Sequence, residues 1–123
     1  MKTILIIDDD VSFHDVAGAA LKERGYEVRS AKSGIEGLAA IKASVPDAIL
    51  LDVKMPGMNG IEVLRSLRKD SPALHIPVII VSNDSSLDTI SEGAELGVRS
   101  YVLKASESLG SIADTVDRVF KKS

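Results

Sequence analysis

The chain has 123 residues, 45% hydrophobic and 27% charged, with a formal net charge of −3, the length and mix of one globular domain with a real core. Its negative charge and 3% aromatic content argue against direct nucleic-acid binding or base stacking, and Lys121 and Lys122 are too few to reverse that. The absence of cysteine excludes disulfides, thiol nucleophiles and cysteine-ligated zinc, and no apolar run approaches the roughly 20 residues of a membrane span or the core of a signal peptide.

Residues 4–7 are an unbroken apolar run, the mark of a strand covered on both faces, as in a parallel sheet. The run ends in Asp8, Asp9 and Asp10, carboxylates that raise one another's pKa unless a cation or solvent relieves them. Phe13, Val16, Ala17, Ala20 and Leu21 recur at helical spacing over 13–24, and Gly25 suits the position just past a helix end. Residues 26–31 alternate roughly, as an edge strand does. Ser33 and Glu36 form a capping box for a helix carrying Leu38 and Ile41 and ending before Pro46.

A second apolar run, 48–51, leads into Asp52. Asn59 and Glu62 repeat the capping logic ahead of Ile61, Leu64 and Leu67. A third run, 78–81, leads into Ser82, and Leu87, Ile90, Ala94 and Leu96 follow as a weaker helix, loosened by Gly93 and Gly97. A short strand over 100–104 ends in Lys104. Leu109, Ile112, Val116, Val119 and Phe120 make the clearest amphipathic stripe of the chain.

Five strands alternating with five helices predict a single α/β domain over residues 1–123, a doubly wound, flavodoxin-like (βα)5 sheet. The three fully apolar strands belong in the middle and the two weaker ones at the edges, giving the order 2-1-3-4-5. Ligands of such sheets bind beyond the carboxyl ends of the strands, where the chain direction reverses beside strand 1. One rim then carries Asp8, Asp9, Asp52, Ser82 and Lys104. Oxygen ligands without His or Cys suit Mg²⁺, or Mn²⁺ in its place, and a carboxylate beside a cation can accept a phosphoryl group.

With these residues in order, the chain resembles the receiver domains of two-component signalling, and is similar over its whole length to stand-alone chemotaxis-type regulators. The marks are Asp8-Asp9, Asp52, Met55-Pro56, Gly60, Ser82, Tyr101 and Lys104, together with their intervals. The resemblance implies that Asp52 accepts the phosphoryl group from a phosphohistidine of a sensor histidine kinase or phosphotransfer protein. It implies a cation held by Asp8, Asp9, Asp52 and the backbone carbonyl of Lys54, with Lys104 gripping a phosphoryl oxygen. Ser82 and Tyr101 would be the switch, altering the surface of helix 4, strand 5 and helix 5. A cytoplasmic monomer or weak dimer acting on a protein target follows, with no contact to membrane or nucleic acid.

Two positions depart from the family pattern. Ala105 stands where proline is usual; a cis bond before a non-proline residue costs about 3 kcal/mol, so a trans bond is expected. Asn83 stands where a smaller residue is usual and is expected to narrow access to Asp52. Lys54 and Asp84 are expected to flank the site and shield the phosphoryl group from water. Taken singly, the residues also have ordinary readings. Asp10 is expected to be solvated, Ser12, Ser33 and Asn59 to cap helices, Met55 and Met58 to pack, and His14 and His75 to have no role. Two other functions remain open: a phosphate-insensitive adaptor, and a phosphatase in which Asp8 and Asp10 are the spaced pair of aspartates.

Overall fold

A computed structural model describes residues 1–69 and 75–121; Lys122 lies outside them. The elements run β1 (Thr3–Ile7), α1 (Val11–Glu23), β2 (Glu27–Ala31), α2 (Gly34–Ala43), β3 (Ala48–Leu51), α3 (Gly60–Lys69), β4 (Val78–Ser82), α4 (Leu87–Glu95), β5 (Ser100–Leu103) and α5 (Leu109–Lys121). The five strands pair in parallel in the order β2-β1-β3-β4-β5. β3 and β4 are buried along their whole length and β1 at every residue after Thr3, whereas β2 and β5 carry exposed or half-buried positions. The apolar runs are therefore the central strands, because only a strand with helices on both faces hides both sets of its side chains.

Alternation along the strands divides the core in two. Leu5, Ile7, Ile49, Leu51, Val78 and Ile80 face α2 and α3, with Leu96 of the α4 end and Tyr101 packed against the same layer. Ile4, Ile6, Leu50, Ile79 and Val81 face α1 and α5. At the surface, Arg24 beyond α1 reaches Asp114 at 2.9 Å and Asp117 at 2.6 Å on α5, and Tyr26 donates to Asp117 at 2.5 Å. Pairs this exposed contribute little stability, but they tie α5 to the α1 side of the sheet.

Helix starts differ in part from expectation. Asp10 is exposed, as expected, but it also caps α1: its carboxylate accepts from the backbone N–H of Ser12 at 3.0 Å and of Phe13 at 3.4 Å. Ser12 lies inside the helix and caps nothing. The carboxylate two residues earlier reaches the free N–H groups of the first turn with full charge, and so outcompetes the hydroxyl. Ser33 and Asn59 do cap, accepting from Glu36 N at 3.1 Å and Glu62 N at 2.9 Å. Val16, expected in the core, is 47% exposed, while His14 and Gly18 are buried beside Phe13, Ala17 and Leu21. Leu87, at the start of α4, is 81% exposed.

α2 lies so close to β1 that Gly37 has no room for a side chain. A Cβ there would sit 2.5 Å from Cδ1 of Ile7 and 2.9 Å from its Cγ1. Alanine's better helix propensity, worth about 1 kcal/mol, is then outweighed by overpacking. Gly37→Ala is expected to destabilise the fold by roughly 1–3 kcal/mol in urea unfolding. Ile7→Val, which removes Cδ1, should make the second substitution less costly in the double variant than in the native background; simple additivity would refute the contact.

Candidate functional site

β1 and β3 are neighbours in register, with Ile7 opposite Leu51. Asp8 and Asp52 therefore leave the sheet at the same level on adjacent strands. Asp52 N–H donates to Ile7 O at 2.9 Å and Asp8 N–H to Ala31 O at 3.1 Å, so both turn off the ladder while still hydrogen-bonded to it. Asp8 is 1% exposed and Asp52 7%, whereas Asp9 is exposed. One carboxylate oxygen from each of the three can be found within 4.8 Å of the others.

β4 and β5 bring the remaining groups. Ser82 lies opposite Leu103, and Lys104 N–H donates to Ser82 O at 3.0 Å. The Lys104 ammonium lies 2.6 Å from Asp8 Oδ2 and 3.9 Å from Asp52 Oδ2, with the Phe13 ring 4.5 Å away beneath it. Asp8 Oδ1 accepts from Asp10 N–H at 2.9 Å. Asp8 Oδ2 is buried with no aligned hydrogen bond, so the lysine satisfies it by charge alone. Burial, and next the charge of Asp8, push the Asp52 carboxyl up to about 6, against the opposing pull of Lys104 and the Ser82 hydroxyl. A cluster of three carboxylates, two of them buried and sharing one ammonium, fits a hard divalent cation.

The loop after β3 is bent back over Asp52. Gly60 N–H donates to Val53 O at 2.8 Å, and a Cβ on Gly60 would fall 2.1 Å from the Asp52 carbonyl oxygen. Asn59 and Glu62 close a reciprocal capping box at 2.9 and 3.0 Å, which fixes the start of α3 against that loop. Met55 is buried and Met58 packs on the core, as expected. Lys54 is exposed on one wall of an open cleft of about 590 Å³ whose other wall includes Asp84, Thr89 and Glu92.

Lys54 and Asp84 do flank this cleft, but among the described residues no ion pair joins them. The Asp84 carboxylate is engaged elsewhere: it accepts from Ser86 N at 2.9 Å and from Thr89 Oγ1 at 3.0 Å. Ser86 chiefly, then Thr89 and the more distant charge of Lys54, hold its pKa below the usual carboxylate range. The backbone of Asp84 is engaged too, its N–H donating to Ser82 Oγ at 3.1 Å and its carbonyl accepting from the Tyr101 hydroxyl at 2.5 Å. Burial, followed by the charges of Asp84 and Asp52, raises the Tyr101 pKa. Ser82 is fully buried, Tyr101 half-buried against the core and Asn83 exposed. The bond after Lys104 is trans, as no cis bond occurs among the described residues, and Ser106 N–H closes a turn on Leu103 O at 3.0 Å.

All the side chains singled out on the rim thus come together, and His14, expected to have no role, joins them. It is 7% exposed, with Nε2 2.6 Å from the Asp8 carbonyl oxygen. Nothing in its helical spacing set it apart from Val16; only the direction of the buried stripe did. His75 is exposed.

Residues 4–116 match the response regulator receiver domain. The chain belongs to that family. It is 38% identical over 105 residues to the protein PilH of Pseudomonas aeruginosa, covering 85% of this chain and 86% of that one. It is 37% identical over 103 residues to the phosphate regulon transcriptional regulatory protein PhoB of the same organism, covering 84% of this chain and 45% of that one. The receiver thus spans less than half of that longer relative. A CheY-like receiver domain from Methanospirillum hungatei JF-1 superposes with a TM-score of 0.92 at 30% identity, over 99% of this chain and 95% of that one.

The raised Asp52 carboxyl makes the receiver's stability depend on pH. A carboxyl that titrates near 6 in the fold and near 3.8 unfolded holds its proton more tightly when folded. Its favourable contribution is complete below about 3.8, and is lost as pH rises through about 6. Asp52→Asn is therefore expected to gain stability on the native protein as pH rises from 4 to 8, by about 2 kcal/mol. Urea unfolding in EDTA at the two pH values measures this; an equal offset at both would disprove it.

Proposed function

We propose that the chain is a phosphorylatable signalling module whose Asp52 accepts a phosphoryl group from a phosphohistidine of a sensor histidine kinase or phosphotransfer protein. The observation that carries this reading is convergence. A buried carboxylate stands 3.9 Å from an ammonium, with two further carboxylates and the Ser82 hydroxyl at the same sheet rim. Phosphoryl transfer needs alignment and charge neutralisation more than proton shuttling, and these residue types supply both. An Asp52 oxygen attacks phosphorus as the P–N bond to the donor imidazole breaks. The imidazole leaves with that electron pair, and Asp52 carries the acyl phosphate.

Asp8, Asp9, Asp52 and the Lys54 backbone carbonyl are the groups proposed to hold Mg²⁺ or Mn²⁺. The ion, when bound, offsets charge on the carboxylates and on the phosphoryl oxygens. Lys104 neutralises Asp8, and is the cation placed to grip a phosphoryl oxygen on Asp52, which it would do were Asp8 held by the ion instead. Ser82 would donate to another phosphoryl oxygen. Ser82 and Tyr101 both bond the backbone of Asp84, and the Asp84 carboxylate holds the start of α4. A change at Ser82 would therefore reach Tyr101 and the α4–β5–α5 surface, which is proposed to bind a protein target.

The phosphatase alternative is less well supported, because Asp10 caps α1 and Asp8 is buried against Lys104. Action in the cytoplasm belongs to the same proposal; no described helix is long and apolar enough to cross a membrane.

Intact mass after incubation with acetyl phosphate and Mg²⁺ should show one added phosphoryl group, absent from Asp52→Asn and from the metal-free sample. A blank result under rapid quench would favour the phosphate-insensitive adaptor. Lys54→Ala is expected to shorten the adduct's lifetime severalfold, if the exposed lysine screens the group from water. An unchanged rate of loss would remove Lys54 from the mechanism.

A further inference from the structure

We propose that His14 is a positioning residue for the acid cluster: its imidazole N–H anchors the Asp8 carbonyl, and so sets the aim of the Asp8 and Asp9 carboxylates toward a divalent cation. The inference rests on the cation reading above and adds to it a residue outside the set of ligands.

The contact has only one chemical sense. A backbone carbonyl accepts but never donates, so Nε2, 2.6 Å from Asp8 O, carries the proton. In the neutral ring Nδ1 is then a bare lone pair, and it is buried with no hydrogen-bond partner. Leaving a buried polar atom unpaired is unfavourable, so an apolar side chain would suit the packing between α1 and the sheet better. Histidine here works against core stability while making one short bond to the loop that bears the cluster.

That bond is well placed to matter. Asp8 is held at its N–H by Ala31 O, at Oδ1 by Asp10 N–H and at Oδ2 by the Lys104 ammonium. Its carbonyl is held by His14, and no other hydrogen bond to that oxygen occurs among the described residues. The carbonyl shares a planar peptide unit with the N–H of Asp9. Fixing its oxygen therefore fixes the orientation from which both aspartates project. The preceding residue, Phe13, supports the Lys104 ammonium from below, so two consecutive α1 side chains brace the two halves of one ion pair. The Lys104 and His14 contacts use different atoms of Asp8, so the His14 bond would not depend on whether the carboxylate meets the ammonium or a cation.

Calorimetric titration of the full chain with Mg²⁺ alone, with no phosphodonor present, tests the inference. His14→Leu is expected to weaken Mg²⁺ binding roughly tenfold, the usual scale for losing a group that orients a metal ligand. His14→Gln, whose amide N–H can reach the same carbonyl, should restore affinity to near the native value. Leu21→Ala, a buried position on the same helix distant from Asp8, should lose stability yet bind as the native chain does. Should His14→Leu fail to fold, His14→Met makes the same comparison. Native affinity in the apolar variant, an equal loss in His14→Gln, or an equal loss in Leu21→Ala would overturn the role. A native chain that binds no Mg²⁺ would instead overturn the cation reading, and this inference with it.

Discussion

Two carboxylates leave neighbouring strands at the same level and enter a space almost closed to water, and one ammonium is set between them. Asp8 and Asp52 are 1% and 7% exposed, and charges buried so deeply are unfavourable unless compensated. Lys104 supplies the compensation, 2.6 Å from one and 3.9 Å from the other. It reaches them because β5 is pinned by β4 and because Phe13 of α1 lies beneath the ammonium. The compensation is incomplete, for the Asp52 carboxyl is still pushed up to about 6. The apolar strands provide rigidity on which this unfavourable arrangement can be held, and the remaining repulsion makes the site receptive to a cation.

Beside that centre, a run of hydrogen bonds leads from Ser82 to the far edge of the sheet. The Ser82 hydroxyl acts on Asp52 and accepts from Asp84 N–H, the Asp84 carbonyl takes the Tyr101 hydroxyl, and the Asp84 carboxylate holds Ser86 and Thr89. One loop residue thereby ties β4, β5 and the start of α4 together. α4 is otherwise lightly held on its inner side: Leu87 is largely exposed, and Gly93 is the only buried residue of the helix. From the other side, Arg65 and Arg68 of α3 reach Glu92 and the Leu96 carbonyl. A helix held chiefly by polar contacts can move without opening the core, since each such contact can be exchanged for water or another polar group.

The opposite flank of the site is built for stillness. Gly37 presses α2 onto Ile7, and Gly60 presses the β3–α3 loop onto the Asp52 carbonyl, each where a single Cβ would collide. His14 and Asp10 hold the β1–α1 loop, one through the Asp8 carbonyl and the other by capping α1. The acid cluster is thus braced by α1, α2 and α3, while the side facing α4 and β5 is joined by exchangeable bonds. That asymmetry is what a module needs if chemistry at one place is to be read at another.

Much of this was legible in the residues alone. Short unbroken apolar runs marked the central strands, alternating helices implied parallel pairing, and the order 2-1-3-4-5 follows from placing the weaker strands at the edges. Because parallel strands all end on one rim, Asp8, Asp9, Asp52, Ser82 and Lys104 could be gathered without coordinates. What the sequence left open depended on direction rather than periodicity. Whether His14 or Val16 faces the sheet turns on how far α1 is rotated about its axis, and its spacing permits either. Whether Asp10 or Ser12 caps α1 depends on which side chain meets the free N–H groups of the first turn, a matter of a single residue in the loop. The Asp84 carboxylate binds Ser86 and Thr89 rather than pairing with Lys54, because a nearby N–H and hydroxyl fixed by the α4 turn compete well against an exposed lysine across a wet cleft. Periodicity and residue type determined the sheet, its order and the chemistry of its rim. The tertiary structure alone decided which side chains brace that chemistry, because hydrogen bonds require an orientation that sequence spacing does not specify.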